Sequence, residues 1–237
     1  MTYHASLLSR LAMAVAHEAE SYPLAMRVCR ATRELLGADG ASITIENSTP
    51  HRVTLCATDR PATLLENLQD VLGEGPCRDA FDLDRPVETG LGGAAVSRWP
   101  QFVPAAEKVI GPDGILWSIP MRAAERVIGA VSLYRRLAGP LVEPMDAAQF
   151  LADAAASTLI RDPLAFAAVT RPGEGGGWSS RAVVHQATGM LVGMLRISVD
   201  DALAVLRSYA FSTGTELIEV ATAVVERSLD LSGEQPS

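Results

Sequence analysis

Apolar positions recur at near-helical spacing over residues 7–36, through Leu11, Val15, Leu24, Val28 and Leu35. Tyr22-Pro23 divides this stretch into two helices, because proline disfavours the helical conformation of the residue before it. Gly37 and Gly40 stop the second helix. The period then changes to two. Ala41, Ile43 and Ile45 alternate with Ser42, Thr44 and Glu46, which predicts a strand over 41–47 in a sheet with one covered face. A second strand follows over 52–58, after a turn containing Ser48, Thr49 and Pro50. A helix over 62–72, a short helix over 76–81, strands over 117–121 and 127–134, and a helix over 144–159 complete this half. Two strands, helices, two strands and a helix make an α+β pattern.

Residues 171–177 read Arg-Pro-Gly-Glu-Gly-Gly-Gly, a composition that favours flexible connection. The chain after them is purely helical, with helices predicted over 180–195, 199–212 and 216–229. Ser198 followed by Asp201 forms a variant capping box, Gly214 breaks the second helix, and Thr215 caps the third. The expected organisation is an N-terminal domain over 8–162, a linker over 163–178 and a three-helix bundle over 179–231. Val183, Ala187, Met190, Leu191 and Met194 define the core side of the first bundle helix. Val199, Leu203, Leu206 and Ala210 do so for the second, with Ala202 at its edge, and Leu217, Val220, Ala221 and Val224 for the third. Projected at 100° per residue, Arg181, His185, Thr188, Val192 and Arg196 fall opposite the first core strip, with Gly189 beside them. That cationic, hydrogen-bonding strip suits a phosphate backbone or a loop base. It equally suits an ordinary solvent face, and Gly189 with Gly193 suits helix–helix contact. Arg207 and Phe211 project from the second helix.

The formal net charge of -8 argues against broad nucleic-acid binding, which draws its affinity from Lys and Arg. Residues 171–231 hold five Arg against seven Asp and Glu, a net of -2. RNA contact here would therefore depend on shape and a few placed groups. No uncharged apolar run approaches the roughly 20 residues needed to span a bilayer, and no signal peptide is expected. Cys29, Cys56 and Cys77 form no CxxC pair, and their odd number argues against a disulfide framework and for a cytoplasmic location. His4, His17, His51 and His185 lack metal-ligand spacing. Gly73-Glu74-Gly75-Pro76-Cys77 lacks the spacing of a phosphate-binding loop and predicts a tight turn into a helix that begins at proline. Cys77 would sit in that helix's first turn, where a thiolate is favoured, and is a candidate redox residue; an inert buried thiol fits the same position. Trp99, Phe102, Trp117 and Tyr134 are candidates to line a ligand pocket or to form ordinary core. No arrangement offers an activated nucleophile or a paired acid and base, so an enzyme is not expected.

The C-terminal segment from Trp178 to Leu229 resembles the ANTAR family. The resemblance is carried by Ser180-Arg181, Val183-Val184, Gln186-Ala187-Thr188-Gly189-Met190-Leu191, Ser198, Ala202, Leu206, Ala210 and the run from Leu217 to Val225. Residues 8–162 resemble a GAF domain. The carriers are Leu35-Leu36-Gly37-Ala38-Asp39-Gly40-Ala41, Leu72-Gly73-Glu74-Gly75-Pro76-Cys77, Arg98-Trp99-Pro100, Ser118-Ile119-Pro120-Met121 and Ile128-Gly129-Ala130-Val131-Ser132-Leu133-Tyr134.

The resemblance implies a GAF-like antiparallel sheet with flanking helices, followed by an all-α three-helix bundle. It implies transcription antitermination by binding RNA stem-loops, as a homodimer that reaches the transcription machinery through the transcript. The implied RNA-binding positions are Arg181, His185, Thr188, Gly189, Arg196 and Arg207. Many family members carry Lys where this chain has Thr188; the Ala-Thr-Gly form resembles an actinobacterial branch fused to GAF domains. GAF domains take ligands that include haem, bilins and cyclic nucleotides, or a protein input, and no signature here selects one. The alternatives are a ligand-sensing or interaction scaffold without RNA binding, and a duplex-DNA binder.

Overall fold

The computed structural model describes residues 3–46, 52–91, 93–162, 176–215 and 217–231. It divides into two compact units, Met1–Thr170 and Arg171–Ser237. The turn expected at 48–50, and residues 163–175 of the expected linker, lie outside the described residues.

The first unit is built on a five-stranded antiparallel sheet in the order β2-β1-β5-β4-β3. Its strands are β1 (Gly40–Glu46), β2 (Arg52–Ala57), β3 (Val87–Gly90), β4 (Ile115–Ala123) and β5 (Arg126–Arg135). Helices α1 (Tyr3–His17), α2 (Leu24–Leu36) and α7 (Met145–Leu159) pack on one face. There Ala41, Ile43, Ile45, Val53, Trp117, Ile119, Met121, Val131 and Leu133 meet Leu7, Leu11, Val28, Leu36 and Leu151 in the larger core. Five alanines of α7, including Ala148, Ala152 and Ala156, are fully buried, so this helix lies close against its neighbours. The other face is covered by α3 (Arg60–Leu72), α4 (Pro76–Leu83) and α6 (Phe102–Ile110), with α5 (Ala94–Arg98) beside α6.

The chain signals its breaks with local chemistry. Gly37 ends α2 in the left-handed region at φ 68°. Asp59 caps α3 by accepting the Ala62 amide at 2.8 Å. Gly73 ends α3 at φ 68°, Pro76 opens α4, and Glu74 between them accepts the Gln101 and Phe102 amides at 2.6 and 2.8 Å. The Gly-Glu-Gly-Pro-Cys turn therefore closes one helix, opens the next and places an anion at the start of a third.

Two expectations for this unit need correction. The sheet has both faces covered: Ser42 and Thr44 are 2% and 3% exposed rather than facing water. The stretch between α4 and β4 holds β3, α5 and α6, which the periodicity did not predict. β3 has four residues and one buried apolar side chain, too few for an alternation to register, and α6 carries Pro104 within its first turn, where proline is tolerated.

The second unit is all-α: α8 (Gly176–Leu195), α9 (Val199–Thr213) and α10 (Leu217–Val225). Helix α8 begins four residues ahead of the predicted start and takes in the last two glycines of the expected linker. Helix α10 ends four residues early, where Arg227 adopts φ 59° and the Ser228 and Leu229 amides return to the Ala223 carbonyl. Ser198 caps α9 by accepting the Asp201 amide at 3.1 Å, while its hydroxyl donates to the Asp201 carboxylate at 2.7 Å.

The fully buried seam runs through Ala187, Leu191, Ala202, Leu206, Ala210, Val220, Ala221 and Val224. Met194 and Val199, expected in the core, are 50% and 63% exposed, and Ala202, expected at the edge, is fully buried. A hydrophobicity sum centres a stripe on the largest apolar residues. The helices instead approach most closely where side chains are small, which turns the seam toward the alanines.

Candidate functional site

The covered face under α3 and α4 is the polar heart of the first unit. Register places Ser42 of β1 opposite Ser132 of β5, and Ser132 opposite Ser118 of β4, so three buried serines cross the middle of the sheet in one row. Ser118 and Ser132 share a hydrogen bond at 3.3 Å. Glu66 of α3 descends on this row with 1% of its surface exposed. It accepts from the Ser42 hydroxyl at 2.8 Å and the Thr44 hydroxyl at 3.2 Å. Arg52 of β2 brings its guanidinium within 3.6 Å of Glu66 and 4.0 Å of Asp70, and donates to the Cys77 sulfur at 2.5 Å. Gln69 accepts the Cys77 amide at 2.7 Å, which satisfies a donor at the start of α4. Gly75, at φ 142°, lies directly beneath Gln69; a Cβ there would fall 2.5 Å from the Gln69 side chain.

A carboxylate and a guanidinium so far from water must be paired, because each alone costs several kcal/mol to desolvate. The result is a buried set of hydroxyls joined through Glu66 to one cation, Arg52, which also faces the Asp70 carboxylate. The alternation of Ser42 and Thr44 in β1 was the visible signal. That Glu66 and Arg52 join them was hidden, since each looks like an ordinary surface charge in its own segment.

The four aromatic candidates separate. Trp99, Phe102 and Tyr134 belong to the smaller core under α6, with Leu65, Val87 and Leu116, whereas Trp117 belongs to the larger core on the opposite face. No single pocket therefore gathers all four. Burial, then the nearby Asp59 carboxylate, pushes the Tyr134 hydroxyl up to about 12. Cys77 is 1% exposed, and burial pushes its thiol up to about 12 against the opposing pull of Arg52. Of the two readings of Cys77, the enclosed, protonated thiol is the one its burial favours, because loss of water outweighs the helix terminus.

In the second unit, the backbone of Arg181 and His185 lies in α8, and their side chains are outside the described residues. Gly189 is exposed, and a Cβ added to it or to Gly193 would meet open space. Arg196 is exposed just beyond α8, at φ 55°. Arg207 is half-buried rather than pointing outward. Thr188 is corrected: it is 5% exposed, and its hydroxyl donates to the Val184 carbonyl at 2.7 Å. The turned seam carries it inward, and the bond to the preceding turn satisfies its hydroxyl there. A cleft of ≈ 530 Å³ opens beside Gly189, Gly193 and Met194, bounded across from them by Val224 and Arg227. The Gly189 and Gly193 pair, whose spacing suited helix–helix contact, borders this open cleft instead, and nothing in the sequence signalled the left-handed Arg227 beside it.

The GAF domain model matches residues 23–159, more than half of the chain. The chain belongs to the GAF family. An ANTAR domain follows it over residues 178–225, so a GAF domain and an ANTAR domain account for the two units in order. Both are regulatory, non-catalytic domains, and a sensor joined to an output of this kind is a regulator. None of the curated proteins matches the chain.

Solved structures similar to this GAF–ANTAR chain include SdiA in complex with octanoyl-rac-glycerol, at TM-score 0.50 and 14% identity over 95% of this chain and 96% of that one. A domain of a two-component sensor histidine kinase protein from Sinorhizobium meliloti 1021 has TM-score 0.44 and 16% identity over 62% of this chain and 95% of that one. The nlh2 GAF domain of A. Aeolicus in an inactive state has TM-score 0.41 and 11% identity over 65% and 90%. At 14% identity the likeness to SdiA is one of fold. Among the described residues, no helix is long and apolar enough to cross a membrane.

Proposed function

We propose that this GAF–ANTAR chain is a cytoplasmic transcription antitermination regulator, not an enzyme, which binds structured leader RNA through its C-terminal helices. In this reading a sensor over 8–162 governs an output module over 179–231 through the segment 163–178. The protein acts as a homodimer and influences the transcription machinery through the transcript. The observation that carries the reading is the ANTAR match over a unit whose described residues form three helices. Arg181, His185, Gly189 and Arg196 form the RNA-contacting surface. Arg207 contributes from the neighbouring helix, while Thr188 serves packing. The input is a small polar ligand or a protein partner that rearranges the Glu66–Arg52 cluster. Such an input shifts the output only by preferring one state of the sensor.

Binding of the purified full chain to stem-loop RNAs from candidate leaders, at stated salt, tests the proposal. The expected result is saturable binding that disappears when the loop is replaced. Absence of binding across the leaders would instead favour an interaction scaffold, a reading supported by the net charge of -2 on residues 171–231. Preference for duplex over stem-loop would favour DNA.

A further inference from the structure

We propose that Arg122 is a strut between the two faces of the first unit, tying α4, which covers the polar cluster, to α7 on the opposite side of the sheet, so that displacing one helix loosens the other. Arg122 is the penultimate residue of β4, the strand against which both α4 and α7 pack. The β4–β5 register shifts between Met121 and Arg122, passing over Ile128 of β5. Such a bulge twists the strands locally and re-aims the side chain beside it. The Arg122 guanidinium reaches the end of α4: Nε donates to the Asp84 carboxylate at 2.7 Å and Nη2 to the Asp84 carbonyl at 2.9 Å. The Arg122 backbone amide serves α7, donating to the Asp153 carboxylate at 2.9 Å, and Nη1 stands 3.8 Å from the same carboxylate. Gln149, one turn earlier on α7, secures that end by donating to Asp153 at 2.9 Å and to the Pro120 carbonyl of β4 at 2.7 Å.

The grip on α4 falls on a vulnerable point. Asp84 ends that helix in the left-handed region at φ 48°, a conformation that a side chain makes unfavourable, least so for Asn and Asp. Its own amide closes only a 3.4 Å bond to the Phe81 carbonyl, so the two shorter bonds from Arg122 hold the exit from α4. At its other end α4 carries Cys77, whose sulfur and amide are bonded to Arg52 and Gln69. A rearrangement of the polar cluster therefore moves α4, draws on Asp84, and reaches Asp153 through one residue. That use of the strut rests on the reading that an input acts at the Glu66–Arg52 cluster; the coupling of α4 to α7 does not. The pairs are partly exposed, and exposed ion pairs contribute little to overall stability. Arg122 accordingly governs the relation between two helices more than whether the unit folds.

Hydrogen–deuterium exchange on the full chain without RNA tests the strut, with rates resolved for α4, α7 and β1. Asp84→Asn keeps a residue that tolerates left-handed backbone and removes the charge. It should speed exchange of α7 amides by about two- to fivefold, although Asp84 ends a helix of the other face. Asp153→Ala should speed exchange of α4 by a similar factor, since coupling between two sites is reciprocal. Strand β1, which reports opening of the whole unit, should be unchanged. Arg122→Gln should loosen both helices, and Asp84→Asn added to it should change α7 no further. Effects confined to the substituted helix would overturn the proposal. So would acceleration of β1 to the same degree, or additive effects of Asp84→Asn and Arg122→Gln on α7. Arg122→Lys, a milder variant, keeps the cation but loses the fork. In it α4 and α7 should again loosen together, and loosening of α4 alone would count against the strut. The readout contains no RNA, so failure of the strut and failure of RNA binding are separate results.

Discussion

Glu66 is held from three sides, by two hydroxyls of β1 and the guanidinium of Arg52. Removing it leaves the buried Arg52 only the longer pairing with Asp70 and frees two buried hydroxyls, so Glu66→Ala should lower unfolding stability by about 3 kcal/mol in urea denaturation, with Glu66→Gln losing less because its amide oxygen still accepts. An unchanged midpoint for Glu66→Ala would mean that Arg52 finds water. Two glycines make a contrasting pair. A Cβ on Gly129 would stand 2.2 Å from the Thr44 carbonyl oxygen, a backbone atom of the neighbouring strand. Gly129→Ala should therefore cost about 3 kcal/mol. Gly189 faces open space in α8, so Gly189→Ala should stabilise the second unit by up to about 1 kcal/mol through helix propensity. If Gly189 also lets RNA approach, the same substitution weakens RNA affinity while raising the melting temperature. Stronger RNA binding by this variant would remove Gly189 from the proposed surface.

The hairpin between β4 and β5 turns through Ala124 and Glu125, both left-handed at φ 48° and 63°. A two-residue turn of this kind favours Asn-Gly. Replacing the pair by Asn-Gly should raise stability by about 1 kcal/mol, read from thermal or urea midpoints. Helix α1 is tied to the segment before α7 by Glu143, which accepts from the Tyr3 hydroxyl and, at 2.6 Å, from Arg10. The Tyr3 bond first, and Arg10 second, hold the Glu143 carboxyl below its ordinary range. Its folded pKa is depressed, so its stabilising effect is present above the ordinary carboxylate range and fades as pH falls through the depressed value. The melting-temperature gap between wild type and Glu143→Gln should be open at neutral pH and close in acid.

Elements of this length declared themselves unevenly in the sequence. The helices with long apolar periods and the strands β1, β2, β4 and β5 were legible because each repeats its signal several times. The short β3 and the proline-bearing α6 were not, because their conformation is decided by β4 and by Glu74, which lie elsewhere in the chain. The bundle helices were found, with the Ser198 cap and the Gly214 stop of the second, but their buried sides were misjudged where small residues outrank large ones. Thr188 moved inward for that reason.

At the scale of the whole molecule, two domains with opposite organisation share one acidic chain. The polar cluster depends on residues from β1, β2, β4, β5, α3 and α4, so no single segment could reveal it. The proposed output surface, by contrast, draws mostly on positions of one helix. With a net charge of -2 over 171–231, RNA affinity should depend only weakly on salt. If Arg181, Arg196 and Arg207 provide the phosphate contacts, the slope of log K against log salt should be roughly -2. A slope several times steeper would demand cations from the first unit or from a second copy.

The serine row of the sheet has one further consequence, for how the chain avoids misassembly. Sliding β1 by one position against β5 would swing Ser42 and Thr44 into the aliphatic layer and set Ile43 against Glu66. Hydroxyls would lose their acceptor and an anion its donors in the same stroke. Alignment errors during folding thus forfeit both layers at once, and the carboxylate under α3 works as a proofreading pin for strand register.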